Sequence, residues 1–165
     1  MVEAGDEIFL RLAIELARQA RAAGADPFGA VIVRDGKVLH QTRDRSFALS
    51  DPTYHPELAV ISEYCRRTGT MSLVGCTLYA STEPCPMCAG AIHWARLSRV
   101  VFSVSQVMLQ QITGGHLKPP CAPIVNMGSA RTEVVGPCLA DEGLAVFDGY
   151  AFVPKAERPR PGGGC

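Results

Sequence analysis

Two short clusters in this chain have the residue types and spacing for metal chemistry: His55-Pro56-Glu57, and Pro84-Cys85-Pro86-Met87-Cys88 further on. Zinc favours imidazole and thiolate ligands in a tetrahedral arrangement. Two cysteines three apart in the first turn of a helix, Cys85 and Cys88, can turn both sulfurs toward one ion. The positive end of that helix favours their thiolate forms. His55 brings the protein ligands to three and leaves a fourth position for water, the mark of a catalytic rather than a structural site. Glu57 opens its own helix two residues after His55, so it can face the same pocket without coordinating. A carboxylate beside a metal-activated water can take its proton and return it to a leaving group. A Cys-x-x-Cys pair alone also serves redox chemistry, or as half of a four-cysteine structural site. The chain holds no second such pair, and the conjunction with His-x-Glu is the more specific signal. Cys65, Cys76, Cys121, Cys138 and Cys165 lack partners in this pattern and read as core or surface thiols.

The elements that must position these residues can be placed from periodicity. Apolar positions at Ile8, Leu12, Leu16 and Ala20 predict a helix over Glu7–Ala23, ended by Gly24. Phe28–Arg34 and Lys37–Thr42 read as strands joined by the hairpin signal Asp35-Gly36. A helix follows over Pro56–Arg67, since proline suits the first helical position. Leu73–Ser81 reads as a buried strand, a helix follows whose start Pro84 and Pro86 bracket and which runs to about Ala95, and Arg99–Ser105 reads as a strand reached by a crossover. Beyond Ser105 the expectation is a helix over Gln106–Ile112, a loop over Gly114–Pro123, a short strand over Thr132–Val135 and a terminal helix over Ala140–Phe152. Residues 1–158 read as one domain, and the Pro/Gly-rich tail 159–165 as a flexible appendage.

The 165 residues suffice for one packed domain, with 47% hydrophobic residues and a formal net charge of zero. Zero net charge argues against a nucleic-acid partner, and the Arg43–Arg45 and Arg66–Arg67 clusters are too short to alter that. Charges interrupt the first twenty residues, so no signal peptide is read there, and no apolar run approaches a membrane span. Seven cysteines without a leader point to a reducing compartment, and the expected localisation is cytoplasmic.

Four stretches resemble the cytidine deaminase-like zinc deaminase superfamily, in particular its guanine deaminase and tRNA adenosine deaminase branch. They are Pro27–Val33, Asp51–Glu57, Leu78–Cys88 and Ala89–Arg96, together spanning about Glu7 to Val104. The metal motifs within them match the His-x-Glu and Pro-Cys-x-x-Cys signature of zinc deaminases. The resemblance implies a three-layer α/β/α fold with a central five-stranded mixed sheet, a bound Zn2+ and assembly as a homodimer. It implies attack of metal-activated water on a ring carbon bearing an amino group, with Glu57 passing protons to the ring nitrogen and the departing ammonia. Backbone groups near Ala30 and along Ser81–Pro84, with Ser81, Glu83 and Pro84 as the candidate residues, would line the substrate pocket. Phe28 would stack on the ring or pack as an ordinary core residue.

Asp44 departs from the family pattern, in which an asparagine that binds the base usually stands seven residues before the aspartate of the Asp-Pro-Thr turn. An ionised aspartate only accepts hydrogen bonds. If Asp44 enters the pocket, the ligand must present N–H groups or positive charge there, and a guanine carbonyl is poorly served; the alternative is that Asp44 turns to solvent. Pro56 replaces a common alanine and keeps the helix start intact. Tyr54 replaces a smaller residue, narrowing the pocket or merely packing. His93 reads as structural, and His116 lies in a glycine loop that could close over a ligand. The leading expectation is a deaminase of a free nucleobase or analogue, with guanine-like aminopurines first and cytosine or aminotriazines behind. A tRNA adenosine deaminase is the alternative enzyme, and a non-catalytic zinc-binding module the alternative of another class.

Overall fold

The computed structural model describes residues 1–129, 131–154 and 157; the tail 159–165, with Cys165, lies outside the described residues. The chain runs α1 (Asp6–Ala22), β1 (Gly29–Arg34), β2 (Lys37–Arg43), α2 (Pro56–Thr68), β3 (Thr77–Thr82), α3 (Pro86–Ala95), β4 (Arg99–Val104), α4 (Gln106–Thr113), α5 (Cys121–Val125), β5 (Glu133–Val135) and α6 (Ala140–Leu144), with a 3-10 turn at Ala145–Phe147. The strands form one five-stranded sheet in the order β2-β1-β3-β4-β5. β1 pairs antiparallel with β2 and β3, while β3–β4 and β4–β5 are parallel. This is the mixed three-layer architecture expected.

Alternation along the central strands builds two cores. Ala30 and Ile32, Leu78 and Ala80, and Val100 and Phe102 pack against Val60 and Ile61 of α2, Ile92 of α3 and Val125 of α5. Val31, Val33, Tyr79 and Val101 face the other way, onto Leu10, Ile14 and Ala17 of α1 and Leu109 of α4. Strands covered on both faces read as nearly continuous apolar runs, as these do. Asp35 and Gly36 both take positive φ, 51° and 69°, the twist a two-residue hairpin loop requires. α1 crosses β1 at Gly29, where a Cβ would stand 2.4 Å from the Ala13 carbonyl oxygen. Only glycine permits that approach.

Three expected elements differ. β3 starts at Thr77 rather than Leu73, because Gly75 turns the chain at φ 80° and the Leu73 amide bonds the Ala95 carbonyl at 2.7 Å. Leu73 is fully buried, so its apolar run belongs to a core turn rather than a strand. Within the expected loop 114–123, α5 begins at Cys121, where Pro120 precedes the helix. The terminal helix stops at Leu144 and, after the 3-10 turn, the chain is redirected at Gly149 (φ 65°), leaving Tyr150 and Phe152 in an irregular strap.

Candidate active site

The site lies at the ends of β3 and β4 where the parallel strands release their chains, the usual ligand position in open α/β sheets. One local device is used twice to hold metal ligands there. His55 stands at the N-cap of α2 and Cys85 at the N-cap of α3, each followed by a proline at the first helical position. Their carbonyls accept the first intrahelical bonds, from Ala59 and Ala89, each at 2.8 Å. Glu57 and Cys88 then lie within the first turns of the same two helices. Both helix starts aim at one point, and their dipoles favour thiolate and carboxylate there.

His55 Nδ1 is 3.6 Å from Cys85 Sγ, and Cys85 Sγ is 3.6 Å from Cys88 Sγ. All three ligand atoms lie within 4.8 Å of one another. Zinc–sulfur bonds of about 2.3 Å and zinc–nitrogen bonds of about 2.0 Å in a tetrahedron place ligand atoms roughly 3.5–3.8 Å apart, so the donor set and the two measured spacings fit zinc. Glu57 is buried, with Oε2 accepting from the Cys88 thiol at 3.4 Å. It stands beside the cluster without belonging to it.

The protein groups alone divide the charges. The hydrogen bond from Cys88, with that from His55, draws the Cys85 thiol down to about 4 against the opposing effect of burial. The same Cys85 contact, then burial and the Glu57 charge, push Cys88 far up. The Cys85 hydrogen bond raises His55. Burial raises the Glu57 carboxyl to about 7, although the nearby His55 charge works against it. The contact between the two thiols thus moves them in opposite directions, Cys85 down and Cys88 up, and a metal held by both must displace any proton they retain.

A cavity of about 360 Å³ opens beside the cluster, lined by His55, Glu57 and Cys85 together with Asp26, Phe28, Thr82, Glu83, Gln106, Leu109, Thr113, Gly115, Lys118 and Phe152. That volume suits a single small-molecule ring system. Among the residues expected to contact substrate, Phe28 and Glu83 line the wall. Phe28 also packs in an aromatic group, its ring centroid 6.1 Å from those of both Phe147 and Phe152.

The other residues singled out from the sequence lie away from the cavity lining. Ala30 is fully buried in the sheet, paired with Thr42 and Ala80, and does not reach the cavity. Ser81 accepts from the Gly29 amide at 3.0 Å and braces β1 against β3 instead of lining the wall. Pro84 is buried behind the cysteine loop and also lies off the wall. Asp44 is 1% exposed, so it does not turn to solvent. Its Oδ1 accepts from the Ser46 amide at 3.1 Å and hydroxyl at 2.9 Å, which holds it behind the wall. Burial raises the Asp44 carboxyl, the Ser46 bonds oppose this, and the Asp26 charge adds to the rise. Tyr54 packs under Arg45 and donates to Glu63, away from the cavity. His93 Nδ1 meets the Val125 carbonyl at 3.2 Å, a structural role, and His116 is exposed off the wall.

Sequence reasoning missed Asp26, Gln106, Leu109, Thr113, Lys118 and Phe152. The C-terminal strap brings the last of these. Arg21 donates to the carbonyls of Val146 at 2.7 Å and Asp148 at 2.8 Å, and its guanidinium lies 5.6 Å from the Tyr150 ring centre. The Tyr150 hydroxyl donates to Asp26 Oδ1 at 2.7 Å. The available signal was the aromatic series Phe147, Tyr150, Phe152, too many large rings for an exposed tail.

The chain belongs to a zinc deaminase family, that of the cytidine and deoxycytidylate deaminase zinc-binding region, whose profile matches residues 4–104. It is 41% identical over 99 residues to a tRNA-specific adenosine deaminase of Aquifex aeolicus, covering 60% of this chain and 66% of that protein. It is 44% identical over 98 residues to a guanine deaminase of Bacillus subtilis, covering 59% of this chain and 63% of that protein. The matched stretches thus span less than two thirds of either relative. A solved structure from work on A-to-I editing by tRNA:A34 deaminases superimposes with a TM-score of 0.72 at 30% identity, covering 85% of this chain and 99% of that one.

Proposed function

We propose that this protein is a zinc-dependent hydrolytic deaminase that releases ammonia from an amino-substituted nitrogen heterocycle. The preferred substrate is a free nucleobase or analogue, with guanine-like aminopurines first and cytosine or aminotriazines behind. The observation that carries this reading is the three-ligand cluster of His55, Cys85 and Cys88 beside the buried carboxylate of Glu57, facing a cavity of about 360 Å³. Zinc held there supplies Lewis acidity and lowers the pKa of a bound water. Glu57 relays two protons in turn, one from the attacking water to the ring nitrogen and then one from the newly added hydroxyl to the leaving amine. The C–N bond breaks, a C–O bond forms, and water plus substrate become the carbonyl product and ammonia. Phe28 and Phe152 wall the ring, and burial of the carboxylate keeps it basic enough for the task.

Asp26 puts a carboxylate acceptor on the lining of this cavity and Lys118 a donor, which supports a ring presenting both N–H groups and an acceptor. The similarity to tRNA-specific adenosine deaminases supports tRNA as a second substrate class, against which the zero net charge weighs. A homodimer in the cytoplasm completes the proposal. The exposed Trp94 and Met71, 82% and 87% exposed, offer apolar surface for a second copy. Among the described residues no helix is long and apolar enough to cross a membrane.

The test is ammonia release from a panel of aminopurines, aminopyrimidines, pterins and aminotriazines, and from tRNA, by the zinc-loaded protein. Activity on a free base that Glu57→Gln abolishes is the expected result. Turnover of tRNA alone would move the assignment to the second class, and zinc binding without any turnover would leave only a zinc-binding module.

A further inference from the structure

Glu83, expected from sequence to meet substrate, is tied at both ends. Its amide donates to the Val104 carbonyl at 2.7 Å, and its own carbonyl accepts from Gln106 Nε2 at 2.5 Å. Its side chain is 7% exposed, with Oε2 accepting from the Gln106 amide at 2.9 Å and Oε1 from the Cys121 amide at 2.9 Å. Gln106 is the first residue of α4 and Cys121 the first of α5. One carboxylate therefore caps two helices from outside their own sequence. Charge-assisted bonds to N–H groups at helix starts are among the stronger hydrogen bonds a carboxylate makes.

The position of Glu83 gives that clamp a consequence for the site. It stands two residues before Cys85, on the segment that leads from β3 into the metal-ligating helix. α4 in turn carries Gln106, Leu109 and Thr113 on the cavity wall. That wall lies beyond residue 104, where the family match ends, while the metal ligands lie inside it. Glu83 is thus a side chain that fastens the part of the pocket beyond the family match to the part within it.

We propose that Glu83 is a positioning residue: it holds α4, and with it the far wall of the cavity, in register with the metal ligands, and so sets substrate affinity rather than the chemical step. This rests on the deaminase reading above. A glutamine at this position has the same shape but offers one acceptor oxygen, so one backbone N–H would face an N–H2 donor. Losing one charge-assisted bond changes a local opening equilibrium by about 10- to 100-fold.

The experiment uses the full zinc-loaded chain with Glu83→Gln and Glu83→Ala. Zinc stoichiometry should match the parent. Amide hydrogen exchange at Gln106 or Cys121 should accelerate by about 10- to 100-fold in the Gln variant, and at both positions in the Ala variant. On the base identified by the panel, KM should rise about tenfold or more while kcat changes little. Unchanged amide protection in the Gln variant overturns the clamp. A fall in kcat at constant KM overturns the positioning role and makes Glu83 part of the chemistry. If the Ala variant fails to fold, the Gln variant alone decides. If no base on the panel is turned over, the deaminase reading fails separately, and the exchange and zinc measurements still decide the clamp.

Discussion

Asp6→Asn should destabilise the protein by about 3 kcal/mol, through a buried ion pair far along the chain from the metal motifs. Arg99 opens β4 and donates to Asp6 Oδ1 at 2.7 Å and Oδ2 at 2.9 Å, a forked pair with side chains 7% and 2% exposed. Tyr79 donates to the same carboxylate at 2.8 Å, and the Glu3 amide at 2.6 Å. Breaking a buried pair by neutralising one partner costs about 3–5 kcal/mol, because the other charge stays buried. The lower end applies here, since Arg99 keeps the half-exposed Glu133 at 3.0 Å. With an unfolding entropy of about 2.1 cal/mol/K per residue, 165 residues give about 0.35 kcal/mol per degree, so the expected fall in Tm is about 9 °C. The pH dependence has a definite sign. Burial works to raise the Asp6 carboxyl, but the bonds from Arg99, Glu3 and Tyr79 outweigh it and its pKa is lowered. Its stabilisation is therefore fully present above the unfolded value of about 3.9 and is lost as pH falls through the lower folded value. Urea unfolding at pH 7 and at several pH values below 4 measures both effects. A loss under about 1 kcal/mol at pH 7, or an acid-induced loss equally steep in the variant and the parent, would refute the reasoning.

Glu57→Gln should lower kcat by about 10²- to 10⁴-fold with zinc content unchanged, read by ammonia release and metal analysis. In the parent protein kcat/KM should fall on the acid side with a limb no higher than pH 7, because Glu57, raised chiefly by burial, stands at about 7 among the protein groups and a bound cation lowers a carboxylate further. Phe152→Ala opens the cavity wall without touching a metal ligand, so KM for the preferred base should rise about tenfold with zinc retained; an unchanged KM would place the strap outside the substrate's reach. Gly29→Ala should cost at least about 3 kcal/mol in chemical unfolding, since the new methyl meets the backbone of α1 at 2.4 Å and neither element can yield cheaply.

The metal residues were legible because each is local. A histidine or cysteine followed by proline at a helix start specifies its own backbone, and the spacing from Cys85 to Cys88 is one helical turn. The sheet was legible for the same reason, as Asp35-Gly36 and the alternating apolar runs are short-range signals. The cavity wall was not. Asp26 and Phe152 share the cavity lining where Arg21 and Tyr150 fasten a strap from the end of the chain against α1, with a contact over 124 residues between Tyr150 and Asp26. Glu83 was legible as a residue of the site, but its bonds to α4 and α5 were not, because nothing near it in sequence announces that both helices will begin at its carboxylate. Asp44 was recognised as unusual, but its seat beside Ser46 depends on the turn after β2.

The prolines that follow His55 and Cys85 have a further consequence for how the metal is acquired and exchanged. Each locks one backbone angle beside a ligand, and the apolar core on one face of the sheet holds α2 and α3 in place without any bond to the ion. The ion therefore meets a receptor that is already assembled, unlike a zinc finger, whose chain must fold as it binds. Removing the metal should silence the protein without unfolding it, and a spectroscopically visible ion such as Co2+ should enter the intact fold and report the geometry at the reacting centre.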